Sequence, residues 1–573
     1  MHRARSFLTL LVSCLFGSAG GSAQELLWSI DGEHSGDELG HALAGGKDVD
    51  GDQVPDVTVG SPWYDGVAGA DCGKVLVISG ATQLTLLSLE GEGEGDGFGS
   101  AVALMGDTDG DGRADLLVGA PYHDGPAGTR SGKVYLYSGS TGLLIRAWNG
   151  EAGGELGDLF GFSVSGAGDV DGDLVEEIIV GAPQHDGAAG VWCGKAYVYS
   201  GASGALLWSW EGEMTVSEFG HSVAGAGDFD DDGRADLLVG APYFSSPDRY
   251  VGKAYLLSGA TGSLLWSRVG ELGVSLYGFS VASAGDTDRD SLADFVIAAP
   301  EQDTEIDINI GKVFLYAGGS GSELATWAGD LRDVVFGRSV AGAGDVDGDG
   351  AADVLVGAYG YWGDTGWGYG RAFVYSGATS GLLLTWGGEA ELDLLGIAVA
   401  SAGDVNQDGL ADVVLGASWH DGPGGWDAGR AYVYSGKRCE LNFTAFGTGT
   451  AGTGGFVPAL SGEGSSCDGG DYVVRITNAL GGATGVLWVG AGSGDLSPFF
   501  GGHFYIDFGS PYTTFAIVLG GAPGVGGAGF LELRGPSLRG WQGLVLYLQA
   551  TLLDDGGTNG VVLTNALEMA IGP

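Results

Sequence analysis

The chain has 573 residues, enough for one large repeat domain and a smaller one, and 115 of them are glycine. Acidic residues outnumber basic ones 73 to 24, which gives a formal net charge of −49. This balance makes nucleic acid and anionic membranes poor partners, because both are bound through Lys and Arg side chains that neutralise phosphate, and it favours cations as partners.

The first 23 residues are typical of a secretory signal peptide. Arg3 and Arg5 form a basic start, residues 7–17 are a short apolar run, and the small residues 21–23 offer a cleavage site before Gln24. A retained lipid anchor is the alternative, but Cys14 lies within the apolar run rather than at the cleavage site. No stretch is long and apolar enough to span a bilayer, so we expect a secreted protein, extracellular or at the cell surface, without a transmembrane segment.

An acidic segment then recurs seven times at intervals of 58 to 62 residues. Each repeat contains four apolar runs of strand length, bounded by glycine or turn residues, and almost no helical pattern. These units predict an all-β fold, a seven-bladed β-propeller with four-stranded blades over residues 24–437. We expect the tryptophans of the fourth run in each repeat to pack between blades.

The two ends of the repeat region indicate how the propeller closes. The seventh unit stops at residues 435–437, before its fourth strand, and residues 26–33 match residues 206–213 of the third unit. We therefore predict that the N-terminal strand completes the last blade, which removes the exposed strand edges that a linear array would leave.

The acidic segments predict metal-binding loops. In the second unit, carboxylates stand at loop positions 1, 3, 5 and 9, and glycines at positions 4 and 6 permit a tight backbone path. Calcium takes six to eight oxygen ligands, which these carboxylates and the carbonyl at position 7 can supply. Asp-rich turns alone would explain one or two acids per turn, not four at fixed spacing. Transition metals would require His or Cys, and the loops contain neither.

The predicted ligands comprise positions 1, 3, 5, 7 and 9 of every loop, with Glu replacing Asp at position 9 of the third loop and Asn at position 3 of the seventh. The first four loops contribute Asp48, Asp50, Asp52, Val54, Asp56, Asp107, Asp109, Asp111, Arg113, Asp115, Asp169, Asp171, Asp173, Val175, Glu177, Asp228, Asp230, Asp232, Arg234 and Asp236. The last three contribute Asp286, Asp288, Asp290, Leu292, Asp294, Asp345, Asp347, Asp349, Ala351, Asp353, Asp404, Asn406, Asp408, Leu410 and Asp412.

A two-part motif accompanies these loops. Phe-Gly stands before the loop at residues 98–99, 160–161, 219–220 and 336–337, and Gly-Ala-Pro follows it at 119–121, 181–183 and 240–242. Motif, spacing and count together resemble the FG-GAP repeat of integrin α-chain propellers, which also occurs in many bacterial secreted proteins. The resemblance covers residues 24–437 and implies up to seven Ca²⁺ ions and ligand binding by the propeller. Nothing resembles the integrin leg domains or an inserted ligand-binding domain, so integrin signalling is not implied.

In an up-and-down blade, the acidic loops and the turns between strands 3 and 4 share one face, and the remaining connections share the other. The connections between strands 2 and 3 vary and are rich in aromatic residues, which suit either recognition of a ligand or packing of the loops. They are Trp63, Tyr64, Tyr122, Trp192, Tyr243, Phe244, Tyr361, Trp362, Trp367, Trp419 and Trp426. A His-Asp pair recurs at 123–124, 185–186 and 420–421, and its repetition favours a structural bond over catalysis.

Residues 438–573 predict a separate Gly-rich β-domain, in which short apolar runs indicate a β-sandwich. Cys439 and Cys467 fall in this segment and could pair. Cys72 and Cys193 occupy the same site in non-adjacent repeats, so a bridge between them is not expected.

No nucleophile elbow, arginine cluster or paired-carboxylate arrangement supports an enzyme. The sequence predicts a secreted, calcium-binding propeller that serves as a non-catalytic extracellular adhesion or ligand-binding module, with an unidentified protein or glycan as partner. Two alternatives are a structural surface or matrix component and the non-catalytic propeller of a hydrolase-associated system.

Overall fold

The computed structural model describes residues 25–436, except 152–156, 247–249, 272, 303–308, 330–333 and 362–367, together with strands between residues 441 and 571. One compact unit comprises Glu25–Gly436. The predicted signal peptide lies outside the described residues. No helix within them has the length and apolar character needed to cross a bilayer.

The first unit is built from short antiparallel strands. They are β1 (Leu26–Asp31), β2 (Ala42–Lys47), β3 (Asp56–Ser61), β4 (Lys74–Ile78), β5 (Thr85–Glu90), β6 (Ala101–Met105), β7 (Asp115–Ala120), β8 (Lys133–Tyr137), β9 (Leu144–Asn149), β10 (Ser163–Gly168), β11 (Glu177–Ala182), β12 (Lys195–Tyr199), β13 (Leu206–Glu211), β14 (Ser222–Gly227), β15 (Asp236–Ala241), β16 (Lys253–Leu257), β17 (Leu264–Val269), β18 (Val281–Gly285), β19 (Asp294–Ala299), β20 (Lys312–Tyr316), β21 (Glu323–Ala328), β22 (Ser339–Gly344), β23 (Asp353–Ala358), β24 (Arg371–Tyr375), β25 (Leu382–Gly387), β26 (Val399–Gly403), β27 (Asp412–Ala417) and β28 (Arg430–Tyr434).

These strands form seven four-stranded sheets, which confirms the predicted propeller. Blades 1 to 6 each contain four consecutive strands, from β2–β5 for blade 1 to β22–β25 for blade 6. Blade 7 has the order β1-β28-β27-β26, and β1 pairs antiparallel with β28, placing Ser29 opposite Tyr432. The N-terminal strand thus completes the last blade, as predicted.

The hydrophobic core lies between neighbouring blades. The innermost strand of each blade contacts that of the next, and the ring closes where β26 meets β2. The second strand of every blade is buried along its whole length. One buried cluster joins Val75 and Val77 of blade 1 to Leu116 and Val118 of blade 2. Because each blade buries one face against its neighbour, an isolated blade would leave that face in water.

The Phe-Gly and Gly-Ala-Pro motifs meet at the junction between neighbouring blades. Gly99 has a φ of 90°, and its amide donates to the carbonyl of Gly119 at 3.0 Å within blade 2. A Cβ on Gly119 would lie 2.1 Å from the carbonyl oxygen of Gly161 in blade 3. Glycine at both places allows this close approach in blade 2, although blade 5 has Ala298 at the position of Gly119. Phe98 and Phe160, which precede Gly99 and Gly161, are buried anchors.

The tryptophans of the outer strands connect blades, as expected. The indole Nε1 of Trp148 donates to the carbonyl of Gly204 at 3.0 Å, and that of Trp208 donates to Gly259 at 2.8 Å. Both acceptors lie in the turn between strands 3 and 4 of the next blade. Cys72 and Cys193 are free and buried, which confirms that they form no bridge with each other.

The second unit contains β29 (Leu441–Phe446), β30 (Ala459–Glu463), β31 (Tyr472–Ala479), β32 (Thr484–Gly490), β33 (Tyr512–Val518), β34 (Gly529–Gly535), β35 (Val545–Leu553), β36 (Val561–Leu563) and β37 (Ala566–Ile571). One sheet has the order β29-β37-β35-β32-β33 with β36 beside β35, and the other has the order β30-β31-β34. These two sheets agree with the β character predicted from the sequence. That they pack face to face as a β-sandwich remains a prediction. Cys439 and Cys467 lie outside the described residues.

Candidate functional site

The acidic loops join the first and second strands of each blade, and their carboxylates hold the loop backbone in place. In blade 2, Oδ1 of Asp107 accepts the amide of Gly110 at 2.6 Å, and Oδ2 accepts that of Gly112 at 2.7 Å. Asp109 Oδ1 and Asp111 Oδ1 each accept the amide two residues ahead, at 3.2 and 3.0 Å. The loop therefore turns around its first carboxylate, and Asp109 accepts through one oxygen only in these bonds.

The carboxylate at position 9 begins the second strand and is fully buried in all seven blades. In blade 1, Asp56 Oδ2 accepts the amide of Val49 at 2.7 Å, and Oδ1 accepts that of Gly80 at 3.0 Å. Gly80 belongs to the turn between strands 3 and 4. The acid thus joins the acidic loop to that turn, which confirms that the two connections share a face.

Glu177 of the third loop departs from this pattern. Its Oε2 accepts the amide of Val170 at 2.6 Å, but its Oε1 is buried and has no hydrogen-bond partner among the described residues. In the other six blades, the second oxygen of the position-9 aspartate accepts the amide of a turn glycine. The extra methylene of Glu177 moves its second oxygen away from that amide. A buried oxygen without a donor is costly unless another partner, such as a cation, satisfies it.

Burial raises the pKa values of several position-9 acids, and neighbouring loop carboxylates raise them further. The pKa of Asp56 rises to about 6 and that of Glu177 to about 7. For Asp353 the pKa rises to about 8, chiefly through burial and then through the charge of Asp347. Backbone amides offset only part of this effect. A bound cation would favour the ionised forms.

The structure brings three carboxylates of one loop together in several blades. In each set below, one oxygen per residue lies within 4.8 Å of the other two. The sets are Asp48, Asp50 and Asp56; Asp107, Asp109 and Asp115; Asp169, Asp171 and Glu177; Asp228, Asp230 and Asp236; and Asp286, Asp288 and Asp290. Positions 1, 3 and 9 thus meet in the first four loops. In the second loop, the carboxylate at position 5, Asp111, accepts the amide of Arg113 and the hydroxyl of Ser140.

These groups fit a hard divalent cation. The ligand atoms in each set are carboxylate oxygens from one short loop. In the third loop, the buried Oε1 of Glu177 has no hydrogen-bond donor among the described residues, which a bound cation would compensate. The predicted ligands Val54, Val175, Leu292, Ala351 and Leu410, together with Arg113 and Arg234, would act through their main-chain carbonyls.

The loops of adjacent blades are linked, which the sequence did not predict. The amide of Ala114 in blade 2 donates to the carbonyl of Asp48 in blade 1 at 3.0 Å. Two arginine side chains also cross between loops. Arg289 Nη2 lies 2.8 Å from Oδ1 of Asp349, and Arg234 Nη1 lies 3.9 Å from Oδ1 of Asp169. The sequence showed these arginines, but not that each reaches a neighbouring loop.

The opposite face is organised by buried polar contacts between connections. His185 Nδ1 lies 2.8 Å from Oδ2 of Asp158, and His123 and His420 contact Asp96 and Asp393 in the same way, at 2.8 and 3.1 Å. The recurring histidine is therefore structural, as predicted, but its partner is an aspartate 27 residues upstream. The adjacent aspartate instead closes the loop, since Asp186 Oδ1 accepts the amide of Trp192 at 2.9 Å.

A second set of contacts on this face was missed by the sequence analysis. The basic residue that opens the third strand pairs with an acid in the connection entering the blade. The pairs are Lys74–Glu33 (2.6 Å), Lys133–Glu92, Lys195–Glu151 (2.9 Å), Lys253–Glu213 (2.8 Å), Lys312–Glu271 (2.6 Å) and Arg430–Glu389 (3.1 Å). The only available signal was the repeated Gly-Lys dipeptide.

The aromatic residues of this face divide into packed and exposed groups. Phe244 and Tyr361 are buried, and Trp63 stacks on Tyr122 of the next blade with ring centroids 5.6 Å apart. Trp426 is 78% exposed and Trp419 is 39% exposed, both in blade 7. Trp362 and Trp367 lie outside the described residues. Packing is therefore shown for part of the aromatic set, and ligand recognition remains a prediction for the exposed tryptophans.

Comparison with known proteins agrees with this architecture. The FG-GAP repeat model matches residues 98–137, 219–257 and 395–434. Integrin alpha-5 of Xenopus laevis is 33% identical over 219 residues, which cover 35% of this chain and 20% of that protein. Integrin alpha-IIb of Homo sapiens is 34% identical over 267 residues, covering 43% of this chain and 24% of that protein. Integrin alpha-V of Gallus gallus is 30% identical over 215 residues, 35% of this chain and 20% of that protein. The matches thus span less than a quarter of each relative.

Proposed function

We propose that this chain, a seven-bladed propeller of FG-GAP repeats homologous to integrin α chains, is a calcium-stabilised extracellular module that binds a ligand. The observation that carries this proposal is the contrast between the two faces of the propeller. One face repeats the same acidic loop in every blade, while the other varies and exposes aromatic side chains in blade 7.

Calcium is the cation that best matches the acidic loops. The donors are carboxylate and carbonyl oxygens without nitrogen or sulfur, and calcium accepts irregular sets of six to eight such ligands. Its role in the proposal is structural: each ion would offset the repulsion among the carboxylates of one loop and connect the loop to the second strand.

The variable face is the proposed ligand surface, with Trp426 and Trp419 as its exposed anchors. Aromatic side chains that stand free of the core provide large contact areas at low entropic cost, which favours recognition of a protein or a glycan. We also propose secretion to the cell exterior and a role in adhesion, which the predicted signal peptide and the integrin relatives support. We propose no catalytic activity.

A structural surface or matrix component is the second candidate, because the protein is acidic, repetitive and rich in strands. It differs from a ligand-binding module in its partner, which would be another copy of the same chain. Calcium-dependent growth of particle size with protein concentration, measured by light scattering, would favour this candidate.

The ligand surface can be tested on the mature protein with a panel of purified extracellular-matrix proteins and immobilised glycans. Replacing Trp419 and Trp426 by Ala should weaken binding at least about tenfold, since central aromatic anchors contribute about 2 kcal/mol or more. Leu143→Ala is the matched control, because Leu143 is 69% exposed on the acidic-loop face. Equal losses in both variants, or none in either, would contradict the assignment of the surface.

A further inference from the structure

Arginine side chains lie between acidic loops at the junctions of blades 1 and 2, 3 and 4, and 5 and 6. The acidic loop of each blade is numbered here as its blade. Arg113 of loop 2 packs on loop 1, where a Cβ on Gly51 would lie 3.1 Å from Nε. Arg234 of loop 4 packs on loop 3, where a Cβ on Gly172 would lie 1.4 Å from Nη1. Glycine at position 4 of loops 1 and 3 thus leaves the space that an arginine fills.

The junction of blades 5 and 6 takes its arginine from the opposite loop. Position 7 of loop 6 is Ala351, which is too short to reach loop 5, whereas position 4 of loop 5 is Arg289 instead of glycine. Nη2 of Arg289 lies 2.8 Å from Oδ1 of Asp349 and also donates to the main-chain carbonyl of that residue. What the three junctions share is therefore the positive charge between two loops, not the position that supplies it.

Backbone hydrogen bonds link the loops at the same three junctions. In each, the position-8 amide of the later loop donates to the position-1 carbonyl of the earlier loop. The bonds are Ala114 to Asp48 (3.0 Å), Ala235 to Asp169 (2.9 Å) and Ala352 to Asp286 (2.9 Å). These bonds fix the spacing of the paired loops, which keeps each guanidinium close to the neighbouring loop.

The carboxylates that these arginines approach are predicted calcium ligands. Asp349 holds position 5 of loop 6, and Asp169, whose Oδ1 lies 3.9 Å from Nη1 of Arg234, holds position 1 of loop 3. Among the described residues, no other Lys or Arg forms an ion pair with a predicted ligand carboxylate. Without calcium, the guanidinium offsets part of the repulsion within the loop. With calcium, the two cations repel each other and share the same carboxylates.

Loop 3 shows that its arginine does not replace the calcium ion. Nη1 of Arg234 and Oε1 of Glu177 are both buried, and neither has a hydrogen-bond partner among the described residues. The guanidinium therefore leaves the buried carboxylate oxygen unsatisfied, although it lies beside the same loop. A cation at the carboxylates would satisfy this oxygen, with the arginine next to it.

We propose that Arg113, Arg234 and Arg289 are resident cations that weaken calcium binding in loops 1, 3 and 6 and stabilise these loops when calcium is absent. This inference rests on the proposed calcium sites and adds a control of their affinity. Each of the three loops releases its ion at a free calcium concentration about three- to tenfold higher than it would without its arginine.

The test compares the full mature protein with Arg289→Gln and Arg289→Lys, each melted with chelator and at saturating calcium. Arg289→Gln should lower Tm with chelator, because the carboxylates of loop 6 lose a counter-charge, and should lower it much less with calcium. Calcium titration against a competing fluorescent chelator should show one site per chain with about three- to tenfold higher affinity. Arg289→Lys keeps the charge and should resemble the wild type in both measurements.

Arg268→Gln is the matched control. Arg268 pairs with Glu323 of the next blade at 2.9 Å, and Glu323 is not a predicted calcium ligand. This variant should lower Tm equally with and without calcium. If the wild type binds calcium but Arg289→Gln behaves like Arg268→Gln, or leaves the calcium titration unchanged, the inference is overturned and the proposed function stands. A wild type that binds no calcium and melts unchanged after chelation would overturn both.

Discussion

Buried histidine–aspartate pairs hold the variable face together in blades 2, 3 and 7. In blade 3, the side chain of His185 is 8% exposed and that of Asp158 is fully buried. The hydrogen bond and charge of Asp158 raise the pKa of His185, while burial opposes the shift. Lys195 also lowers this pKa, and Glu151 raises it.

This shift predicts a pH-dependent contribution to folding. Because the folded pKa of His185 lies above the ordinary value of about 6.5, the charged pair stabilises the protein fully below that value, and this part is lost as pH rises through the folded pKa. His185→Gln should reduce the free energy of unfolding by about 1–3 kcal/mol near pH 6, and by less near pH 8. Urea unfolding at saturating calcium measures both values.

His34→Gln provides the control, since the side chain of His34 is 62% exposed. It should change the free energy of unfolding little at either pH. An equal loss for His185→Gln at both pH values would show that the charged form of His185 contributes nothing.

The identity of these residues was predictable, but their partners were not. The repeated His-Asp dipeptide indicated a structural bond, yet the accepting carboxylate stands 27 residues earlier. The acidic loops differ in this respect, because each cluster arises within nine consecutive residues whose spacing is visible in the sequence. The isolated Oε1 of Glu177 depended on one methylene and could not be foreseen.

At the scale of the strand and turn, the contact between tryptophan and glycine determines how closely blades pack. Gly262 has a φ of 69°, and a Cβ there would lie 2.6 Å from the Trp208 ring. Gly262→Ala should therefore lower the free energy of unfolding through two effects. The left-handed backbone should cost about 1–2 kcal/mol, and overpacking of the new Cβ against Trp208 should cost about 1–3 kcal/mol.

Gly36→Ala separates the two effects. Gly36 has a φ of 83°, but a Cβ there would meet nothing within 4 Å. Chemical unfolding should show a larger loss for Gly262→Ala than for Gly36→Ala. Equal losses would mean that the contact with Trp208 does not limit packing.

The strands themselves were predictable because each apolar run is short and bounded by glycine. The ion pairs between third strands and incoming connections were not. Lys253 and Glu213 are 40 residues apart, and only the folded blade brings them to 2.8 Å.

At the scale of the whole molecule, closure of the ring depends on β1. This strand supplies the outer edge of blade 7 and the buried Trp28 side chain. A chain that begins at Gly32 should lose at least about 3–5 kcal/mol, the cost of removing one large buried side chain, and should expose β28 as an unpaired edge.

A chain that begins at Gln24 is the matched control for this truncation. Thermal melting and light scattering should show a lower Tm and aggregation for the shorter chain only. Equal melting temperatures would mean that the ring does not need the N-terminal strand.

The central claim is that calcium occupies the acidic loops and stabilises the propeller. The most direct measurement is the calcium content of the purified mature protein, with melting curves before and after chelation. We predict about six or seven ions per chain and a large fall in Tm, since each ion at 100 times its Kd contributes about 2.7 kcal/mol. The Asp109→Ala and Asp111→Ala double variant should contain one ion fewer. Absence of calcium together with an unchanged Tm would contradict the account, and the loops would then be acidic turns without a metal.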